Sequence, residues 1–256
     1  MATAKSKRVL LTREDNVVLA NVLAEAGFDV LEIPLIKITL ESDASDVKDV
    51  FNEMGRYDWL TFSSVNGVRG FFKEFLKHFD DIRSLGFSRI ACVGESTAKE
   101  LKKYFLHSDV IPKISTGEEM GKAMAEYESL ENLKILCVIG NLAGKGLFDV
   151  LEKNNAIVDA IEVYKTEGAM VDSTSSAVKD FRKGGADVIV FASPSAVESF
   201  VKNVDNLSLS SSSIKPKIVS IGPRTSEAVK KYGMKVAIES ATPYPEDVLK
   251  AIETVS

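Results

Sequence analysis

Phe62-Ser63-Ser64-Val65-Asn66-Gly67-Val68 and Phe191-Ala192-Ser193-Pro194-Ser195-Ala196-Val197 follow one pattern: an apolar run closing on phenylalanine, a serine-bearing turn, then the start of a helical stretch. A second pair, Arg89-Ile90-Ala91-Cys92-Val93-Gly94-Glu95-Ser96-Thr97 and Lys217-Ile218-Val219-Ser220-Ile221-Gly222-Pro223-Arg224-Thr225, keeps the same spacing, since 191 − 62 = 129 and 225 − 97 = 128. A weaker match aligns residues 9–37 with 135–165, where 165 − 37 is again 128. Two copies of one strand–helix plan account for this periodicity.

Short apolar runs recur at 9–12, 30–34, 59–62, 90–94, 109–112, 135–140, 157–163, 188–192, 218–222 and 236–239, giving about ten strands. Nearly all are too continuously apolar to alternate, the pattern of strands covered on both faces in a parallel sheet. Between them lie stretches of helical period, such as 17–26 with Val18, Leu19, Val22, Leu23 and Ala26 on one stripe. The reading is an α/β protein of two lobes, each with a parallel sheet of about five strands flanked by helices. A length of 256 residues suits two such lobes. The duplication itself permits two divisions. The chain either divides near residue 130, or it crosses between lobes near 38–40 and 164–166, so that 1–37 plus 167–256 form a discontinuous lobe around an inserted lobe, 41–163.

Composition narrows the chemistry. Cys92 and Cys137 lie inside apolar runs with no CxxC or Cys/His cluster beside them, and His78 and His107 are the only histidines. Neither a disulfide, nor a metal site, nor a histidine triad is expected, which leaves hydroxyls, amides and carboxylates. A net charge of −5 argues against nucleic acid as partner. No apolar run approaches the roughly 18 residues of a membrane span, and no secretory signal is legible. Residues 1–8 are basic and carry Ser and Thr, so the expected compartment is the cytoplasm, or an organelle stroma where a targeting segment has been removed. A monomer is expected, because no heptad or long apolar patch is visible. Residues 208–213 read as a polar surface loop.

In parallel α/β sheets ligands bind beyond the carboxyl ends of the strands, where helix N-termini offer N–H groups. Ser63 and Ser64, Thr97 after Gly94, Ser193 and Ser195, and Gly222 with Thr225 all fall there. Each alone reads as a helix cap; four hydroxyl-bearing turns, two per copy, read together as an anion site. Gly140-Asn141-Leu142-Ala143-Gly144-Lys145-Gly146 is a further glycine-rich turn, but it lacks the spacing of a phosphate loop. Arg13, Lys37, Lys145, Lys165, Lys217 and Arg224 are cations near strand ends, and Tyr164 closes a strand at one proposed crossing.

In order along the chain, Leu11-Thr12-Arg13, Phe62-Ser63-Ser64, Val93-Gly94 through Thr97, Gly140-Asn141, Val163-Tyr164-Lys165-Thr166, Phe191 to Ser195 and Ile221-Gly222-Pro223 through Thr225 resemble the uroporphyrinogen III synthase family over nearly the whole sequence. The resemblance implies two α/β lobes joined by a two-stranded connector, which selects the discontinuous division. It implies a small-molecule substrate, hydroxymethylbilane, which loses its terminal hydroxyl as water to leave an azafulvene. A spiro intermediate then forms at ring D, and the macrocycle recloses with that ring inverted, without a cofactor. Tyr164 matches the family tyrosine that assists hydroxyl departure. Arg13, Ser63, Ser64, Thr97, Gly140, Asn141, Lys145, Ser193, Ser195, Gly222 and Thr225 match positions that would meet the substrate's carboxylates. Two positions depart from the family pattern: Lys145 stands where an arginine is frequent, and Arg224 where a small or hydroxylated residue is common. The competing reading is a non-catalytic two-lobed binding or regulatory module for a carboxylated small molecule.

Overall fold

The computed structural model describes residues 6–255; the first five residues of the basic 1–8 stretch lie outside that range. The chain opens with β1 (Arg8–Leu11), α1 (Val17–Glu25), β2 (Asp29–Glu32) and β3 (Ile36–Thr39). It continues through α2 (Ala44–Asn52), β4 (Trp59–Phe62), α3 (Val65–His78), β5 (Arg89–Cys92), α4 (Glu95–Leu101), α5 (Gly117–Tyr127), β6 (Lys134–Gly140), α6 (Gly146–Lys153) and the long β7 (Ile157–Gly168). It closes with α7 (Ser176–Gly184), β8 (Val188–Phe191), α8 (Pro194–Lys202), β9 (Lys217–Ser220), α9 (Pro223–Lys231), β10 (Val236–Glu239) and α10 (Pro245–Val255). Two compact units result, Met1–Ile38 with Glu167–Ser256, and Thr39–Thr166, so the chain passes between them within β3 and within β7.

The first unit carries a sheet of order β10-β9-β8-β1-β2, in which every neighbouring pair is parallel. The second sheet runs β3-β7-β6-β4-β5, with β7-β6, β6-β4 and β4-β5 parallel. Both sheets have apolar layers on two faces, which explains the unalternating strands. Along β6, Leu136 and Val138 enter one core cluster while Ile135 and Cys137 enter the other. Along β8, Ile189 and Phe191 face one way and Val188 and Val190 the other. Successive side chains of a strand point to opposite faces, so a doubly covered strand must be apolar at every position.

The expected strand at 109–112 is not a strand. Only Val110 pairs, in an isolated parallel bridge to Ala91. Its counterpart in the first unit is the pairing of Ile238 with Val219, and 238 − 110 and 219 − 91 both equal 128. The duplicated plan therefore reaches this edge in both units, but Pro112 has no N–H to extend the ladder. The strand β3 was not among the apolar runs. Its four residues, Ile36-Lys37-Ile38-Thr39, mix polar and apolar side chains and only Ile36 is buried.

The long helix α3 shows how sequence sets the packing. Ser64 caps it by accepting the Gly67 N–H, and Val68, Phe71, Phe72 and Phe75 are fully buried along one stripe. Burying each of these phenylalanines stabilises the unit by about 1.5–3 kcal/mol. Gly70 lets the helix lie directly on β7: a Cβ there would stand 2.4 Å from the Val163 carbonyl oxygen. In the first unit Ser193 caps α8 and Pro194 occupies its first turn, where a missing N–H does no harm. The polar loop expected at 208–213 has a structural task, because Ser213 Oγ donates to the carbonyls of Arg182 and Lys183 at the end of α7.

Candidate active site

Each sheet has one point where the order of connections reverses. In the second unit the chain leaves β4 for β5 on one side, and β6 for β7 on the other, so the reversal lies between β4 and β6. In the first unit it lies between β8 and β1. Crevices at the carboxyl ends of such strands are the ligand sites of open α/β sheets. Ser63 and Ser64 follow β4 and Gly140-Asn141 end β6, whereas Arg13 follows β1 and Ser193 follows β8.

At the second unit's crevice three of the expected residues converge. Ser64 Oγ donates to Tyr164 Oη at 3.0 Å while accepting the Gly67 N–H at 2.9 Å. The Tyr164 ring lies flat against Gly140, so close that a Cβ on that residue would meet the ring carbons at 2.3–2.7 Å. A register shift in β7 brings them together: Ile139 pairs with Glu162, but Gly140 pairs with Tyr164. The extra residue puts Val163 and Tyr164, consecutive in sequence, against the same apolar cluster, as a β-bulge does when it re-aims a side chain. Asn141 holds the strand beyond: its side chain accepts the Thr166 N–H at 2.9 Å and donates to the Thr166 carbonyl at 3.2 Å. Asn141 is thus occupied with backbone. Ser63 is half-buried, with its hydroxyl 3.4 Å from the Val138 carbonyl. Lys145, exposed in the turn before α6, forms no ion pair among the described residues.

In the first unit Ser193 Oγ accepts the Ala196 N–H at 3.1 Å and lies 2.9 Å from Ser195 Oγ. Arg13 is exposed and follows β1, the strand next to β8 in the sheet. Thr12, within the Leu11-Thr12-Arg13 motif, has a buried hydroxyl that donates to the Val190 carbonyl at 2.8 Å and ties β1 to β8 beneath the crevice. Gly222 and its equivalent Gly94 open α9 and α4 with no side-chain cap, leaving first-turn backbone as the donor on offer. Thr225 and Thr97 stand in those first turns with only 4% and 1% of their surface exposed. Little of either side chain is open to solvent, a placement the motif alone does not reveal.

Burial pushes the Cys92 and Cys137 thiols up to about 11, so neither is a thiolate nucleophile near neutrality. Among the described residues, no group of three or more His, Cys, Asp or Glu is placed to hold a metal ion, and no helix is long and apolar enough to cross a membrane.

Comparison with known proteins agrees with this architecture. The porphyrin biosynthesis protein HemD of Ruminiclostridium josui is 28% identical over 248 residues, covering 96% of this chain and 48% of that protein. The chain thus spans about half the length of this relative. A uroporphyrinogen-III synthase of Chlorobaculum parvum is 27% identical over 189 residues, 73% of this chain and 74% of the relative. The crystal structure of uroporphyrinogen-III synthetase from Helicobacter pylori 26695 has a TM-score of 0.64 at 15% identity, covering 98% of this chain and 100% of that one, a likeness of fold. The sequence profile described as uroporphyrinogen-III synthase HemD matches residues 17–250, and with nearly the whole chain inside that match the protein belongs to the uroporphyrinogen-III synthase HemD family.

Proposed function

We propose that the chain converts hydroxymethylbilane to uroporphyrinogen III, a cyclising lyase reaction that removes one water and inverts ring D. Family membership supports the substrate class. The observation that carries the reading to this chain is the Tyr164 phenol, seated on Gly140 and bonded to Ser64 at the crevice of the second sheet. The terminal hydroxyl of the bilane is a poor leaving group as hydroxide. A phenol proton delivered as the C–O bond breaks lets it depart as water, while the pyrrole nitrogen's electron pair generates the azafulvene. Carbon–carbon bond formation at the substituted position of ring D gives the spiro intermediate, and cleavage and reclosure place the ring inverted. The proton finally lost from ring D balances the one given to the leaving hydroxyl.

Uncatalysed closure gives the non-inverted isomer, so holding the chain ends in one geometry is as important as proton transfer. A substrate with eight carboxylates requires many donors. In this proposal Ser63 and Lys145 supply them on the second unit, and Arg13, Ser193, Ser195 and the uncapped α9 terminus at Gly222 on the first. Thr97 and Thr225 contribute through the backbone of their turns. The test is incubation with freshly generated hydroxymethylbilane, oxidation, and chromatographic separation of uroporphyrins I and III. Predominant isomer III is expected, with Tyr164→Phe slower by about 10²-fold. Isomer I alone from folded protein would instead identify a binding module that retains the scaffold.

A further inference from the structure

Ser64 and Ser193 are equivalents in the duplication, and their backbones nearly coincide: φ/ψ of −165/162 and −163/157. Both accept the N–H three residues on. They differ in what the hydroxyl meets next. Ser193 meets a neighbouring serine, whereas Ser64 donates to a phenol one hundred residues away in sequence. The first unit has no counterpart of that phenol. The offset of 128 places Ile36 opposite Tyr164, and Ile36 is buried in its core.

We infer that Ser64 is a positioning residue for Tyr164 and not a carboxylate ligand. A serine hydroxyl has one proton, and that of Ser64 goes to the phenol oxygen. With that oxygen already accepting, the phenol's own O–H turns away from α3 and is left to donate to substrate. The Gly67 N–H bonded to the same Oγ polarises the serine and strengthens its donation. The second unit has thereby converted a helix cap into a clamp on the reacting group. The inference rests on the proposed function for what the phenol donates to, but the clamp can be measured without turnover.

The decisive variant is Ser64→Gly, because glycine is tolerated at an N-cap almost as well as serine yet has no hydroxyl. We expect kcat to fall about tenfold with KM within about twofold, Ser64→Thr to restore most of the rate, and Ser64→Gly to change kcat less than about twofold in a Tyr164→Phe background. In parallel, tyrosine ζ-13C NMR gives a resonance assigned to Tyr164 by its loss in Tyr164→Phe. It should shift in Ser64→Gly and return in Ser64→Thr. A raised KM at unchanged kcat, or independent multiplication of the two losses, would overturn the inference and make Ser64 a substrate ligand. If the wild type yields only isomer I, the functional proposal fails separately. An unmoved Tyr164 resonance then removes the clamp as well, and a shifted one retains it.

Discussion

Replacing Gly140 with alanine tests the seat of the phenol directly. The added Cβ would lie 2.3 Å from Cζ, 2.5 Å from Cε2 and 2.7 Å from Cε1 of Tyr164, against about 3.5–4.0 Å for carbon atoms in contact. The ring or the strands must therefore give by more than about 1 Å. The strands are held: Gly140 pairs with Tyr164 in the ladder, Asn141 grips Thr166, and Val163 lies under α3. The half-buried ring is the freer part and should swing outward, breaking its bond to Ser64. The stability loss should fall at the low end of the roughly 1–3 kcal/mol of an overpacked site. The catalytic loss should be larger, on the order of 10²-fold for a reacting group displaced by about 1 Å. Stability is read by urea unfolding through the fluorescence of Trp59, the single tryptophan, fully buried in the second unit; activity is read as the initial rate of isomer III formation. Wild-type behaviour in both assays would refute the reasoning. A sharper check is Gly140→Ala in a Tyr164→Ala background, where the stability loss should vanish; if it persists, the clash is with something other than the ring.

Gly70→Ala should be the more destabilising glycine variant, at or above the upper end of about 1–3 kcal/mol, because its Cβ would meet a backbone carbonyl at 2.4 Å and not a mobile ring; equilibrium unfolding in urea measures it. Burial lifts both thiols from an ordinary 9.0 to about 11, so above about pH 9 the unfolded chain releases protons that the folded state keeps. The stability contributed is whole below that pH and is lost as pH rises through about 11: the urea midpoint should fall between about pH 9 and 11, and the Cys92→Ala/Cys137→Ala pair should flatten that slope. Asn141→Ala should speed hydrogen exchange at the Thr166 amide, whose acceptor it removes, with unfolding free energy changing by no more than about 1 kcal/mol at this exposed position.

Much of the architecture was legible because burial on two faces leaves a one-dimensional trace. Runs such as Val188–Phe191 are apolar at every position only when both faces of the sheet are covered, and the repeat then fixes which strands are equivalent. What escaped were elements whose local pattern carries little burial. The four residues of β3 have one buried side chain. The opposite error at 109–112 arose from an apolar run at a sheet edge, where Val110 alone is bridged.

The catalytic candidates were legible as a set of turns, but not as contacts. Spacing places Ser64 and Ser193 at equivalent caps, and from that alone they should do equivalent work. The difference arises in β7, where the register advances from Ile139–Glu162 to Gly140–Tyr164. Without that one-residue slip, alternation would send Tyr164 to the face opposite Val163. With it, both lie on the α3 side, and the phenol comes within reach of Ser64. A bulge leaves no periodic signature in a strand already apolar at alternate positions, Ile161 and Val163, before its end. The glycine at 140 is the one local sign of it: a residue without a side chain at the end of β6 marks where an aromatic ring from the neighbouring strand must pass.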